Sequence, residues 1–339
     1  MTNAPKAMIL GCAGARLSDE ERAFFRAEQP WGFILFGRNV ETMEQIRALT
    51  AELRAAVGRN APVLIDQEGG TVRRLRPPLV RDYPPASVIG RLYASSPDEA
   101  KEAAYACGRL IAADLLSVGV DVDCAPVLDM PPEPDTGFIA NRAFGSDPEQ
   151  VRVLAQAMAD GLKAGGVLPV IKHMPGHGRG LADSHIGLPV VKEPLALLAE
   201  RDFRPFRELT GIRMAMTCHV LFEAVDAENP ASASAKVVEQ VMRGSIGFDG
   251  LIISDDISMN ALAGDIGERA RAVAAAGIDI ILHCNGKMDE MRAVADAAPA
   301  LAGVSLIRSD RALDGRPAAD DANLAALSRR LDDILQARS

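Results

Sequence analysis

The stretch Val167-Leu-Pro-Val-Ile-Lys172-His173-Met-Pro-Gly176-His177-Gly178-Arg-Gly180-Leu-Ala-Asp183-Ser184-His185-Ile-Gly-Leu-Pro189 changes character part-way. Residues 168–172 make a short apolar run suited to a buried strand. After it comes a polar loop holding three of the chain's five histidines. Gly176, Gly178 and Gly180 let that loop bend and move. The next helical pattern starts only near Glu193, and connections of that length inside a compact domain are usually lids or binding loops. Lys172 and His173 stand where the run ends; Asp183 and His185 stand at the far end of the loop. A carboxylate two residues from an imidazole can orient its N–H and stabilise its charged form. A histidine pair alone reads as a surface turn, but four such residues around a glycine loop read as a functional site.

Working outward, the same kind of apolar run occurs eight times, at residues 7–12, 32–36, 63–66, 122–128, 168–172, 214–219, 251–255 and 278–283. The runs are rich in Val, Ile and Leu and mostly do not alternate, which fits parallel strands buried on both faces. Helical patterns lie between them, as at 42–57, 97–117, 148–164, 193–209 and 266–276. Asp147-Pro148 supplies a capping acid and a first-turn proline for one of these. Repeated strand–helix alternation predicts an α/β fold, a single TIM-type (β/α)8 barrel over residues 1–339 with irregular first strands and a C-terminal helix. The rival is a doubly wound open sheet, but no Gly-x-Gly-x-x-Gly follows the first run. Two long connections, 74–96 and 130–145, carry proline clusters and follow strands, which places them on the C-terminal rim.

Nearly half of the 339 residues are apolar, enough for a large core, and the formal net charge is -9. Acids spread along the chain argue against nucleic acid and against an anionic membrane surface. No apolar stretch reaches membrane-spanning length, and the start of the chain lacks a signal-peptide pattern. Five cysteines, three of them in strand runs, read as reduced buried thiols of a cytoplasmic protein. A monomer is expected.

In such barrels chemistry lies at the C-terminal ends of the strands. Those ends carry Asp66 and Glu68, Asp129, Lys172 and His173, His219, Asp255 and Asp256, and His283 with Asn285. Asp255 emerges directly from a buried run, where a carboxylate can be nucleophile, base or metal ligand. Asp256 should point away from it or cap the next helix. Arg74 and Arg142 could reach inward from loops and hold hydroxyl or carboxylate oxygens. His219 and His283 read equally well as rim fillers. A metal-dependent barrel hydrolase is the alternative, using His173, His177, His185, His219 and Asp255. Against it, His-Glu-x-x-His and Cys-x-x-Cys are both absent. No metal or other cofactor is expected.

Lys172-His173-Met-Pro-Gly-His177-Gly, Asp183-Ser184-His185 and Ser254-Asp255-Asp256-Ile-Ser-Met259 together resemble glycoside hydrolase family 3. Further matches are Ile65-Asp66-Gln-Glu-Gly-Gly70, Ala125-Pro-Val-Leu-Asp129 and Asn141-Arg142-Ala-Phe144-Gly. Within that family the chain is similar to the β-N-acetylglucosaminidases of bacterial cell-wall recycling, which the Asp183-Ser-His185 motif marks. Met174 departs from the usual Phe. The resemblance implies Asp255 as nucleophile and His185 as acid/base supported by Asp183. It implies Asp66, Arg74, Arg142, Lys172 and His173 as the sugar-binding set. It also implies a glycan substrate, N-acetylglucosaminyl-1,6-anhydro-muropeptide, hydrolysed with retention. Phosphorolysis on the same site is the other outcome weighed. Aromatic residues are scarce and Trp31 is the sole tryptophan, so a closed pocket for one terminal sugar is expected and a long polysaccharide cleft is not.

Overall fold

The computed structural model describes residues 4–133, 137, 139–180 and 187–336. Eight parallel strands surround the core: β1 Lys6–Gly11, β2 Pro30–Leu35, β3 Val63–Ile65, β4 Val122–Asp123, β5, β6 Met214–Thr217, β7 Leu251–Asp256 and β8 Ile280–His283. β5 is interrupted at Val170. Its first part, Leu168–Pro169, pairs with β4, and its second, Ile171–Met174, pairs with β6. The ring β4-β3-β2-β1-β8-β7-β6 therefore closes through one broken strand, and the fold is a TIM-type barrel. The first two strands are more regular than expected, at six residues each, with one register shift between them.

Strand side chains alternate, yet both faces are apolar. Ala7 and Ile9 join the barrel interior with Leu64, Val122, Met214, Met216, Leu251, Ile253, Ile280 and Leu282. Met8, Leu10, Val63, Ile65, Ala215, Ile252 and Ile281 face the helices. That two-sided burial is why the runs show little alternation in sequence. Trp31, expected ahead of β2, lies within it, buried, and donates its indole N–H to Ser309 Oγ at 2.7 Å.

Helices Pro97–Ser117 and Pro148–Ala164 have the expected bounds, the second capped by Asp147, whose side chain accepts from Gln150 N–H. Their backbones approach closely: a β-carbon on Gly108 or Gly161 would lie within 2.2 Å of a carbonyl oxygen on the other helix. The helix expected over 193–209 is instead two, Leu195–Glu200 and Arg204–Glu208. Pro205 cannot donate to a continuing helix, so the chain breaks and restarts. The connection read as a long loop over 74–96 contains a helix, Ala86–Tyr93. The expected C-terminal helix is present at Leu324–Gln336, with Leu331 and Ile334 buried. All five cysteines are free and buried. Among the described residues, no helix is long and apolar enough to cross a membrane.

Candidate active site

The uppermost interior side chains, Ile34, Met216, Leu282 and Cys284, together with Phe36, Val72 and Met259, form the apolar part of a cavity of about 260 Å³ at the C-terminal end of the barrel. Asp66, Arg74, Arg142, Lys172, His173, His177, Asp255 and Asp256 supply its polar lining. Six of the eight residues singled out from sequence therefore meet in one place. The other two, Asp183 and His185, lie outside the described residues.

Asp66 leaves the end of β3, and the chain then turns through a small hairpin, Gln67–Gly69 with Val72–Arg73, that brings Arg74 back. The Gln67 side chain holds this turn, its Oε1 accepting from the N–H groups of Arg74 and Leu75 at 2.9 and 3.0 Å. A chain of alternating charge results. Arg74 donates to Asp66 at 2.8 Å, and Lys172 Nζ reaches both Asp66 and Glu68 at 2.7 Å. Arg142 makes a two-pronged pair with Glu68 at 2.7 and 2.9 Å. Burial alone would push the carboxyls of Asp66 and Glu68 up. Lys172 and Arg74 outweigh it at Asp66, and Arg142 and Lys172 at Glu68, so both are held below the usual range. Burial would likewise lower Lys172, but Asp66 and Glu68 raise it. All of these groups are charged at neutral pH. The Arg74 guanidinium also lies over the Phe36 ring, 4.9 Å from its centre.

Lys172 and His173 both line the cavity although they are consecutive, and the peptide between them is cis. Fully buried Asp129 serves the next segment. Its Oδ2 lies 2.6 Å from His173 Nδ1, while its Oδ1 accepts from the N–H groups of His173 at 3.2 Å and His177 at 2.6 Å. Burial opposes its charge, but His173 and the His177 contacts prevail and bring it down to about 2. Gly178 is obligatory next, since a β-carbon there would lie 1.9 Å from the Met130 carbonyl oxygen. Arg179 then pairs with Asp202 and Glu193. A β-carbon at Gly180 would sit 2.9 Å from Pro189 Cβ and 3.4 Å from His177 Cε1. Gly180 and Pro189 therefore lie side by side, Gly180 against the cavity-lining His177 ring.

Asp255 is the last residue but one of β7, and its carboxylate accepts one hydrogen bond among the described residues, from Asp256 N–H at 2.8 Å. Burial would raise its carboxyl; His219 and His173 outweigh that and lower it, so it is ionised. Of the two courses expected for Asp256, pointing away or capping the next helix, the structure shows a form of the second, with a turn in place of the helix. Asp256 also borders the cavity, and its carboxylate caps a turn by accepting from Ser258 N–H, Ser258 Oγ–H and Cys284 N–H. His219 and His283 are fully buried outside the cavity lining. His219 contacts Ser232 Oγ and the Asp256 carbonyl, and His283 contacts Glu290. Among the described residues, no three His, Cys, Asp or Glu side chains are grouped to hold a metal.

Sequence reasoning placed Glu68 and Asp129 at strand ends without giving them a task. Two-residue spacing from Asp66 was the available signal for Glu68. Met259 closes the Ser254–Met259 motif and Phe36 the apolar run 32–36, but neither was assigned to the site; both border the cavity.

The model of the glycosyl hydrolase family 3 N-terminal domain matches residues 4–308. This chain belongs to glycosyl hydrolase family 3. A β-hexosaminidase of Alkalilimnicola ehrlichii is 40% identical over 93% of this chain and 90% of its own length. One from Chromobacterium violaceum is 39% identical over 88% and 84%. NagZ from Neisseria gonorrhoeae superimposes with a TM-score of 0.87 at 32% identity, covering 99% of both chains. The same protein in complex with N-trifluoroacetyl-D-glucosamine gives 0.86 at 31%. This family 3 barrel is accordingly that of a glycoside hydrolase of the β-hexosaminidase type.

Proposed function

We propose that this family 3 enzyme is a retaining exo-β-N-acetylglucosaminidase, acting through a covalent glycosyl-enzyme on Asp255. The observation that carries this reading is Asp255 itself. An ionised, half-buried carboxylate that accepts one hydrogen bond among the described residues borders a cavity whose lining also holds a set of donors and acceptors. The cavity is smaller than the usual range for drug-sized ligands, which suits one sugar ring. Asp66 accepts from sugar hydroxyls, and Lys172, Arg74 and Arg142 donate to them. His173 completes the set. The apolar floor suits the less polar parts of an N-acetylated sugar, and the gonococcal relative was solved with N-trifluoroacetyl-D-glucosamine.

In the first step an Asp255 oxygen bonds to the anomeric carbon as the glycosidic C–O bond breaks. Protonated His185 gives its proton to the departing oxygen. In the second step water attacks the same carbon, passes a proton to His185 and frees Asp255. Two inversions leave the configuration retained. The imidazole replaces the second carboxylate common in such enzymes, because its pKa already lies near neutrality. Asp183 orients it and stabilises its charge. The substrates we assign are N-acetylglucosaminyl-1,6-anhydro-muropeptides of cell-wall recycling, met in the cytoplasm by a monomer whose whole chain serves one catalytic barrel.

The test is mechanism-based trapping. A fluorinated N-acetylglucosaminide analogue labels Asp255, as read by peptide mass mapping, and product analysis shows retention. A label on another residue, or inverted product, ends the assignment. Running the reaction in phosphate and looking for sugar phosphate separates hydrolysis from phosphorolysis.

A further inference from the structure

Asp129 touches nothing in the cavity, yet its two oxygens have different work. Oδ1 is committed to two backbone amides, those of His173 and His177, and Oδ2 faces His173 Nδ1 at 2.6 Å. Asp129 is fully buried and ionised, so it only accepts. The proton on the His173 ring must therefore sit on Nδ1 whenever the ring is neutral. We propose that Asp129 is a positioning residue that sets the polarity of His173 toward the sugar, making Nε2 a hydrogen-bond acceptor while the ring is neutral and a donor only when it is charged. On this view His173 complements the cations around it. Lys172, Arg74 and Arg142 can only donate, whereas a sugar hydroxyl must also give its proton to something. Asp66 and His173 Nε2 are the acceptors that stand among these cations, in addition to the carboxylates of Asp255 and Asp256 in the same lining. The part of this inference that concerns sugar rests on the function proposed above; the part that concerns the tautomer does not.

Asp129→Asn is a directed test because the two amides fix how the asparagine lies. They need an acceptor, so the amide oxygen takes the Oδ1 place and the NH2 group must face His173. It can only donate there. The neutral ring then carries its proton on Nε2 and shows the cavity a donor. Nitrogen-15 NMR of labelled enzyme, recorded above the pH at which the ring is neutral, reports the tautomer directly. Wild type is expected as Nδ1–H and Asp129→Asn as Nε2–H. An Nε2–H tautomer in the wild type overturns the proposal, and this reading stands even if the variant fails to fold. In the folded variant, kcat/KM on an aryl N-acetylglucosaminide falls about ten- to a hundred-fold, mostly through KM, as for one mismatched buried hydrogen bond. Binding of N-acetylglucosamine weakens in parallel. A flipped tautomer with unchanged KM and sugar affinity removes the role assigned to Nε2. If the wild type lacks glycosidase activity, the proposed function fails while the NMR result still judges the tautomer.

Discussion

Both ends of the barrel hold buried carboxylates on strand termini, and they are used differently. At the N-terminal end, Asp121 accepts from Val63 N–H and pairs with Arg54 and Arg316. Asp279 accepts from Ile252 N–H and Ser305 Oγ–H and pairs with Arg243 and Arg308. Every oxygen there is occupied, and each acid ties neighbouring strands to outer helices. At the C-terminal end, the Asp255 carboxylate accepts from one group among the described residues, Asp256 N–H, and has open space in front of it. Between these extremes, Asp66 and Glu68 are paired with cations that also face the cavity. The contrast teaches that burial of charge does not mark the site; unspent hydrogen-bonding capacity in front of open space does.

The largest effect expected from that contrast is a double dissociation. Asp255→Ala lowers turnover of an aryl N-acetylglucosaminide by about four orders of magnitude, with little change in thermal midpoint. Asp279→Ala leaves Arg243 and a strand amide without their acceptor and lowers stability by about 3 kcal/mol, while the folded fraction turns over normally. Loss of turnover per folded molecule in Asp279→Ala would erase the distinction between the two ends.

A smaller effect tests the middle case. Glu68→Gln removes the charge shared by Lys172 and Arg142, so KM rises about tenfold and kcat changes less, since the wall holds substrate and transition state alike. Steady-state kinetics beside Asp279→Ala separates this from general loosening.

The smallest concerns Asp123, at the end of β4 below the charged wall. It is fully buried; its Oδ1 accepts from Gln67 N–H at 3.0 Å, and its Oδ2 has no partner among the described residues. Burial pushes its carboxyl up to about 7. In the unfolded chain it ionises near pH 4, so between about pH 4 and 7 the folded state binds more protons and stability falls as pH rises. Asp123→Asn mimics the neutral acid and removes that loss. Its melting midpoint should gain a few degrees on wild type at pH 8 and nothing at pH 4. Parallel melting curves at both pH values would mean that the acid is solvated or otherwise paired.

The barrel was legible because strands buried on both faces leave dense Val, Ile and Leu runs, and because Asp147-Pro148 writes a helix start plainly. The same reasoning overran at 193–209, where periodicity concealed the break before Pro205, and it took the prolines around 77–85 as evidence of loop through residues that form Ala86–Tyr93. At the site, strand-end position was enough to single out Asp66, Lys172, His173 and Asp255. Their relation was not, and neither were the tasks of Glu68 and Asp129, because hydrogen bonds between residues 44 to 106 positions apart leave no local pattern.

What the sequence determined alone was the order of apolar runs, and so the closed ring of strands and the rim on which polar residues emerge. Local periodicity carries that information, since each strand must be apolar on both sides wherever it stands. Only the tertiary structure decided which of the rim's charges neutralise one another and which remain open to a ligand. That outcome depends on distances of a few ångströms between separate loops, and on the burial that makes each unpaired charge costly.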